Sequence, residues 1–273
     1  MSQMIKYWND DIECSLNLPD ANQEVIKGVA WGEPWALFTP AYWLSQFKME
    51  RLDNMSQSYY TSNKNIYEEV VFCMLGGFGI SAEQATATYQ ACRDAGLIQK
   101  FETSEQLWVE QLKKPVEVEG SIRHYRFPNQ KSKYIAAAMS FLKEKDLAAL
   151  SGKEIRDELL EVRGIGYKTA GWIARNYTDT DEIAILDIHI IRACTLCGVF
   201  TLEHKVEKDY IEMEKLFLDF CDSLGVRPAI MDCLIWDHMR YLGGIAIKAY
   251  KNINSTIPSE VVRNMQPDLF HAI

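Results

Sequence analysis

The sequence predicts a mainly α protein, and three observations carry that prediction. From about residue 63 onward, apolar residues recur at helical spacing. The segments so marked are bounded by helix-start and helix-stop residues. Strand-like alternation is confined to two short runs, VEVEG (116–120) and EIAIL (182–186).

The elements follow in order. The first sixty residues are rich in tryptophan and proline (Trp31, Pro34, Trp35, Pro40, Trp43) without a clean period, and read as an extension packed on a helical body. Ser81 with Gln84 forms a capping-box pattern, and Gly96 closes the segment that it opens. Tyr134, Ala138, Phe141 and Leu142 mark a helix between Asn129 and Asp146. Ser151 and Glu154 make a second capping box ahead of Ile155, Leu159 and Val162, and helical segments follow near 206–222 and 228–242. The chain thus divides into an N-terminal extension (1–62), a helical region (63–248, with a hairpin at 151–177) and a C-terminal appendage (249–273).

Bulk properties narrow the classes. With 273 residues, 48% of them hydrophobic and 25% charged, the chain can bury one large core or two modest subdomains. No apolar run approaches the roughly 18 residues of a membrane span, and the first residues lack the pattern of a signal or transit peptide. The expectation is a cytoplasmic protein with no membrane association. Seven cysteines, an odd number set mostly in apolar stretches, speak for reduced thiols rather than a disulfide framework. The Cys194-x-x-Cys197 pair has no second pair to complete a metal site and reads as core. A net charge of −9 argues against indiscriminate binding to phosphate, so any nucleic-acid footprint must be local. The stretch SIRHYRFPNQKSK concentrates Arg123, Arg126, Lys131 and Lys133, which serve either as that footprint or as an ordinary solvated loop and helix start.

The segment ELLEVRGIGYKTAGWIARNYTDTDEIAILDIHIIR carries the chemistry. A capped amphipathic helix ends near Val162, a glycine hairpin (Gly164, Ile165, Gly166) follows, and a second helix begins at Tyr167 or Lys168: a helix-hairpin-helix. Glycines here bring bare amides to the surface beside the positive end of a new helix, an arrangement suited to a phosphate. Lys168 lies in the first turn of that helix, where the dipole disfavours a cation and should lower its pKa, leaving a nucleophilic amine. Asp187 follows an apolar run and precedes another helix that it can N-cap. Near Lys168, its carboxylate could steady a positively charged sugar and help remove the proton of the amine. Taken singly, Lys168 fits a phosphate-binding or solvated lysine and Asp187 a plain helix cap; their combination with the glycine hairpin favours chemistry.

These residues resemble the helix-hairpin-helix, Gly/Pro-rich, aspartate motif of the base-excision glycosylase superfamily. GIGYK, the continuation from Ala170 to Arg175 and Asn176, and AILD-x-HI are most similar to the type-2 8-oxoguanine DNA glycosylase/lyases. RFPNQKSKYI (126–135) and MDCLIWDHMRYLGGIAIK (231–248) resemble that group more loosely. The resemblance implies a two-subdomain helical fold, a lysine nucleophile at Lys168, a catalytic aspartate at Asp187, DNA as partner and no metal or organic cofactor. It also implies extrusion of a damaged or modified purine into a pocket between the subdomains. Candidates for that pocket are Phe78, Trp172, Asp232, Trp236 and His238, with His189 in support of Asp187; each also fits a purely structural use.

The sequence departs from that pattern in two places. Gly76, Gly77 and Phe78 stand where the family carries the asparagine that fills the gap left by a flipped base, and Phe78 or Ile80 could insert apolar surface instead. The chain also runs 25 residues past Lys248, near which the type-2 proteins end. Two alternatives therefore accompany the glycosylase/lyase reading. One is an enzyme of a bacterial anti-phage operon acting on a deazaguanine-type nucleobase, with protein partners encoded beside it. The other is a non-catalytic module that binds DNA or a protein partner.

Overall fold

The computed structural model describes residues 2–61, 65–77 and 79–255. In chain order the strands are β1 (Gln3–Asn9), β2 (Ile12–Leu18), β3 (Glu24–Ile26), β4 (Val29–Ala30), β5 (Val116–Val118) and β6 (Ser121–Arg123). The helices are α1 (Pro40–Met49), α2 (Ile66–Leu75), α3 (Ala82–Asp94), α4 (Glu105–Leu112), α5 (Pro128–Glu144), α6 (Gly152–Leu159), α7 (Tyr167–Thr178), α8 (Ile188–Cys197), α9 (Val206–Leu224) and α10 (Pro228–Ser255). The chain is mainly helical, as the periodicity predicts, and forms two compact units.

The first unit joins the two ends of the described chain, residues 2–60 and 181–255. Its core interleaves Trp43 and Phe47 of α1 with Phe217 and Phe220 of α9 and Ile230 and Leu234 of α10, all almost fully buried. Such burial, at about 25 cal/mol per Å² of apolar surface, is what holds the early segment to the late helices. Thr39 accepts a hydrogen bond from the Tyr42 amide and Pro40 follows, which fixes where α1 starts. β1 and β2 form an antiparallel hairpin that the sequence reading did not anticipate. Its turn uses Asp10 at φ 54° in place of an Asn-Gly signal, so the usual hairpin cue is missing. EIAIL, expected as a strand, forms no ladder: Tyr210 and Glu214 side chains satisfy the Leu186 and Ala184 amides instead. α10 is long but bent at Gly243, whose φ of 36° and ψ of −104° interrupt the helix.

The second unit, residues 61–180, contains α2 to α7 and the small β5–β6 hairpin, in which VEVEG forms the expected strand. Val70, Val71, Trp108, Ile135, Met139 and Ile155 are among its most buried side chains. α5 packs on α2 and α4, and α7 packs on α2 and α6. Ser151 and Glu154 complete the predicted capping box in both directions, through the Ser151 amide (2.7 Å) and the Glu154 amide (3.3 Å). At Ser81 only half of the box forms: the hydroxyl caps the Gln84 amide, while the Gln84 side chain donates to the His124 carbonyl at 2.9 Å. A nearby hairpin thus competes successfully for that amide.

Among the described residues no helix is long and apolar enough to cross a membrane, and the seven cysteines are free thiols. Cys194 is buried, and burial pushes its thiol well above the ordinary range.

Candidate active site

The hairpin is built as the glycines require. α6 runs to Leu159, Ile165 donates to the Val162 carbonyl at 3.0 Å, and α7 starts with Gly166 as its N-cap. The two glycines do different jobs. Gly164 has φ 92°, and a Cβ there would come within 2.4 Å of the Tyr134 ring. Gly166 has φ −104°, a conformation open to any residue, and a Cβ there would meet nothing within 4 Å. Gly164 is therefore demanded by packing, whereas the space over Gly166 is open. The N-cap of α7 is a glycine and offers no side chain to its first turn, and a helix start of that kind suits an anion arriving from outside.

Lys168 is the second residue of α7 and is half-buried. The helix that carries it is fastened from behind. Arg175 donates through Nε (3.1 Å) and Nη2 (3.0 Å) to the Asn176 side-chain oxygen, and Asn176 Nδ2 donates to Glu69 of α2 at 3.0 Å. The Thr61 hydroxyl also donates to Glu69, and the Cys73 thiol approaches it at 3.8 Å. All three of Glu69, Arg175 and Asn176 are buried, so the network ties α7 rigidly to α2. This gives the Arg-Asn continuation of the motif a physical reason.

The remaining second-unit candidates divide. Trp172, one turn after Lys168, stacks edge-on against Phe72 (5.7 Å) and leaves only 3.3 Å between its ring and a Cβ at Gly76. Arg123 and Lys133 are exposed; Lys133 lies 4.0 Å from Glu105. Arg126 is exposed, with its guanidinium 5.1 Å from the Phe127 ring centroid and close over Gly79. Lys131 differs from its neighbours: its Nζ turns inward to the Met74 carbonyl (2.5 Å) and the Gly76 carbonyl (3.2 Å). Burial, and after it the charge of Lys168, holds the Lys131 amine down to about 8. Phe78 lies outside the described residues.

In the first unit, Asp187 caps α8. One carboxylate oxygen accepts from the His189 amide (2.8 Å) and the Ile190 amide (3.0 Å), and the residue is only 9% exposed. The same helix turns His189 toward Trp236 of α10, at 6.1 Å and edge-on, and the Arg240 guanidinium lies 4.5 Å over the Trp236 ring. His189, Arg192, Met239, Arg240, Gly243 and neighbours line a cavity of about 250 Å³. Arg192 and Arg240 were not foreseen from sequence, although Arg240 stands four residues past Trp236 on a helix and so shares its face. Asp232 is buried. His238 is engaged at both ring nitrogens, with Glu50 at 2.5 Å and the Tyr42 hydroxyl at 3.0 Å, and packs edge-on against Trp43. It fastens α1 to α10 and has no ring nitrogen left to read a base. Among the described residues no three His, Cys, Asp or Glu side chains converge on a metal position.

A capped helix, a glycine hairpin, an uncapped second helix and an aspartate-capped third define a helix-hairpin-helix protein of the glycosylase class. Residues 48–226 match the family model described as 8-oxoguanine DNA glycosylase, and the chain belongs to this family. It is similar to an 8-oxoguanine DNA glycosylase/AP lyase of Metallosphaera sedula, 30% identical over 118 residues that cover 41% of this chain and 57% of the relative. The chain thus spans a little over half the length of that relative. A homologue of the same description from Saccharolobus solfataricus is 28% identical over 197 residues, covering 69% of this chain and 88% of its own. In fold it resembles the crystal structure of the 8-oxoguanine DNA glycosylase of Thermotoga maritima, with a TM-score of 0.50, 22% identity, and coverage of 74% of this chain and 88% of the other.

Proposed function

We propose that this protein is a DNA N-glycosylase and AP lyase that removes a damaged purine of the 8-oxoguanine type through an imine at Lys168. The observation that carries the reading is the start of α7: a glycine N-cap with free space over it, and a half-buried amine two residues on. In this reading the amides and Gly166 hold a phosphate of the DNA strand, assisted by Arg123, Arg126 and Lys133. The Lys168 nitrogen bonds to the anomeric carbon as the bond to the base breaks, and the electron pair of that bond leaves with the base. Ring opening then gives an imine from which β-elimination nicks the strand.

Asp187 stabilises the positive charge that develops on the sugar. One of its oxygens is fixed by two amides, and the other is left for the substrate. Trp236, with His189 and Arg240, offers an aromatic face and hydrogen-bond donors to an extruded base, with Asp232 close by in sequence on the same helix. The glycines at 76 and 77, in place of the family's asparagine, support including deazaguanine-type and other modified bases among the substrates tried, since an altered wedge loosens the link to ordinary lesion repair.

Borohydride reduction tests the proposal directly. The wild-type chain should become covalently trapped on an 8-oxoguanine or abasic oligonucleotide, and Lys168→Ala should abolish trapping. Trapping that persists in Lys168→Ala would move the nucleophile elsewhere; no trapping of the wild type on any substrate would leave a binding module.

A further inference from the structure

Arg192 has no part in the reaction above. It is half-buried on α8, and among the described residues no hydrogen bond or ion pair engages its guanidinium. A guanidinium carries five N–H donors and a permanent charge, so drawing it partly out of water without an acceptor is unfavourable. What Arg192 lines is the first unit's cavity of about 250 Å³, against the roughly 10–15 Å³ that a single water requires. The space admits a polyatomic ion.

Two helices build that cavity. From α8 come His189 and Arg192, three residues apart and so on one face. From α10 come Arg240 before the bend at Gly243, and Ala246 and Ile247 after it. Positions seven apart share a helix face, and the break in that face at Gly243 (φ 36°, ψ −104°) lets residues on both sides of it line one hollow. The Trp236 ring holds Arg240 in place from 4.5 Å. No carboxylate lines the hollow. Of the acidic side chains nearest along these helices, Asp187 has one oxygen committed to two amides, and Asp237, whose carboxyl burial pushes up, feels the charge of Arg240 from outside the lining. In a chain of net charge −9, two arginines and a histidine around one hollow are a local excess of positive charge.

We propose that this hollow is an anion site that takes a phosphate group, with Arg192 as its principal donor and Arg240 and His189 completing it. Donors arrive on three side chains from two helices, which suits the tetrahedral oxygens of a phosphate better than the planar pair of a carboxylate. The fork of a guanidinium meets two of those oxygens at once. An anion there gives the Arg192 donors the acceptors that its own chain does not supply. The inference goes beyond the glycosylase/lyase reading and does not depend on it, since neither Lys168 nor the hairpin takes part. The phosphate belongs either to a nucleic-acid strand or to a free ion or nucleotide; the recognising chemistry is the same for both.

The probe is inorganic phosphate, compared with chloride at equal ionic strength, on wild type, Arg192→Gln, Arg240→Gln and, as a control for charge alone, Lys215→Gln at an exposed position of α9. Wild type and the control should melt at a higher temperature in phosphate than in chloride. The dissociation constant of phosphate, from calorimetric titration, should rise about ten-fold or more in each arginine variant. Phosphate affinity unchanged in Arg192→Gln, or no effect of phosphate on wild type, overturns the inference; should Arg192→Gln disturb the fold, the same is read from Arg240→Gln, whose residue is exposed. A loss as large in Lys215→Gln also overturns it, by reducing the effect to net charge. The same variants titrated with a duplex oligonucleotide name the source. A matching loss of duplex affinity assigns the site to a strand phosphate, and unchanged duplex affinity with weakened inorganic phosphate assigns it to a free or terminal one. Borohydride trapping reads the glycosylase/lyase proposal separately, so either can fail without the other.

Discussion

The starts of α7 and α8 are opposites. α8 is closed by a buried carboxylate of its own chain, with two amides on one Asp187 oxygen. The N-cap of α7 is a glycine, which has no carboxylate to offer and empty space above it. Both starts present amides that have no partner within their own helix, and the same positive helix end. In α8 that positive end fixes an internal anion, which then has one definite position from which to act. In α7, on the proposed reading, it is left for an anion that the DNA brings. The missing side-chain cap costs α7 some intrinsic stability, and on the proposed reading it is what suits the hairpin to binding.

Several substitutions can break or sharpen this contrast. The largest effect is expected at the residue that the packing demands: Gly164→Ala should lower stability by about 2–4 kcal/mol, through the positive φ and the contact with Tyr134, seen as a lowered denaturation midpoint. Next, Asp187→Asn should slow base release by roughly 100-fold in single-turnover assays, the usual worth of a fixed electrostatic group, while DNA binding is retained. Near-wild-type turnover would reduce Asp187 to a helix cap.

Making α7 resemble α8 is the most direct inversion. Gly166→Asp should stabilise the fold by only a few tenths of a kcal/mol, but should lower DNA affinity at least about ten-fold, because the new carboxylate occupies the amides and repels phosphate. Unchanged affinity would place the phosphate elsewhere. The smallest effect is expected at the exposed cations. With a net charge of −9, the salt dependence of duplex binding should be shallow, equivalent to about two to four phosphate contacts, and Lys133→Glu should remove about one of them, leaving sequence preference alone. A slope unchanged by that reversal would remove Lys133 from the footprint.

Much of this was legible in the sequence because its causes are local. The capping box at Ser151, the hairpin glycines, the first residue of α7 and the cap at Asp187 all follow from side chains within four positions of the amides they serve. Helical spacing likewise identified α5, α9 and α10. The β1–β2 hairpin was missed although Ile5 and Tyr7 alternate with Met4, Lys6 and Trp8, because an aspartate took the left-handed turn position that glycine or asparagine usually marks.

What the tertiary structure alone decided concerns groups whose partners are far along the chain. His238 reads as a pocket candidate until Glu50 and Tyr42, 188 and 196 residues earlier, claim its two ring nitrogens. Lys131 belongs by composition to a basic cluster, and only the carbonyls 57 and 55 residues before it turn it inward, away from the solvent that its neighbours face. The apolar run before Asp187 reads as a strand, yet its Ala184 and Leu186 amides are met by side chains of α9 rather than by a second strand. Caps and turns are written in sequence because hydrogen bonds between near neighbours form whatever the rest of the chain does; the burial and proton affinity of a side chain depend on which distant atoms replace its water, and that is settled only when the chain has folded.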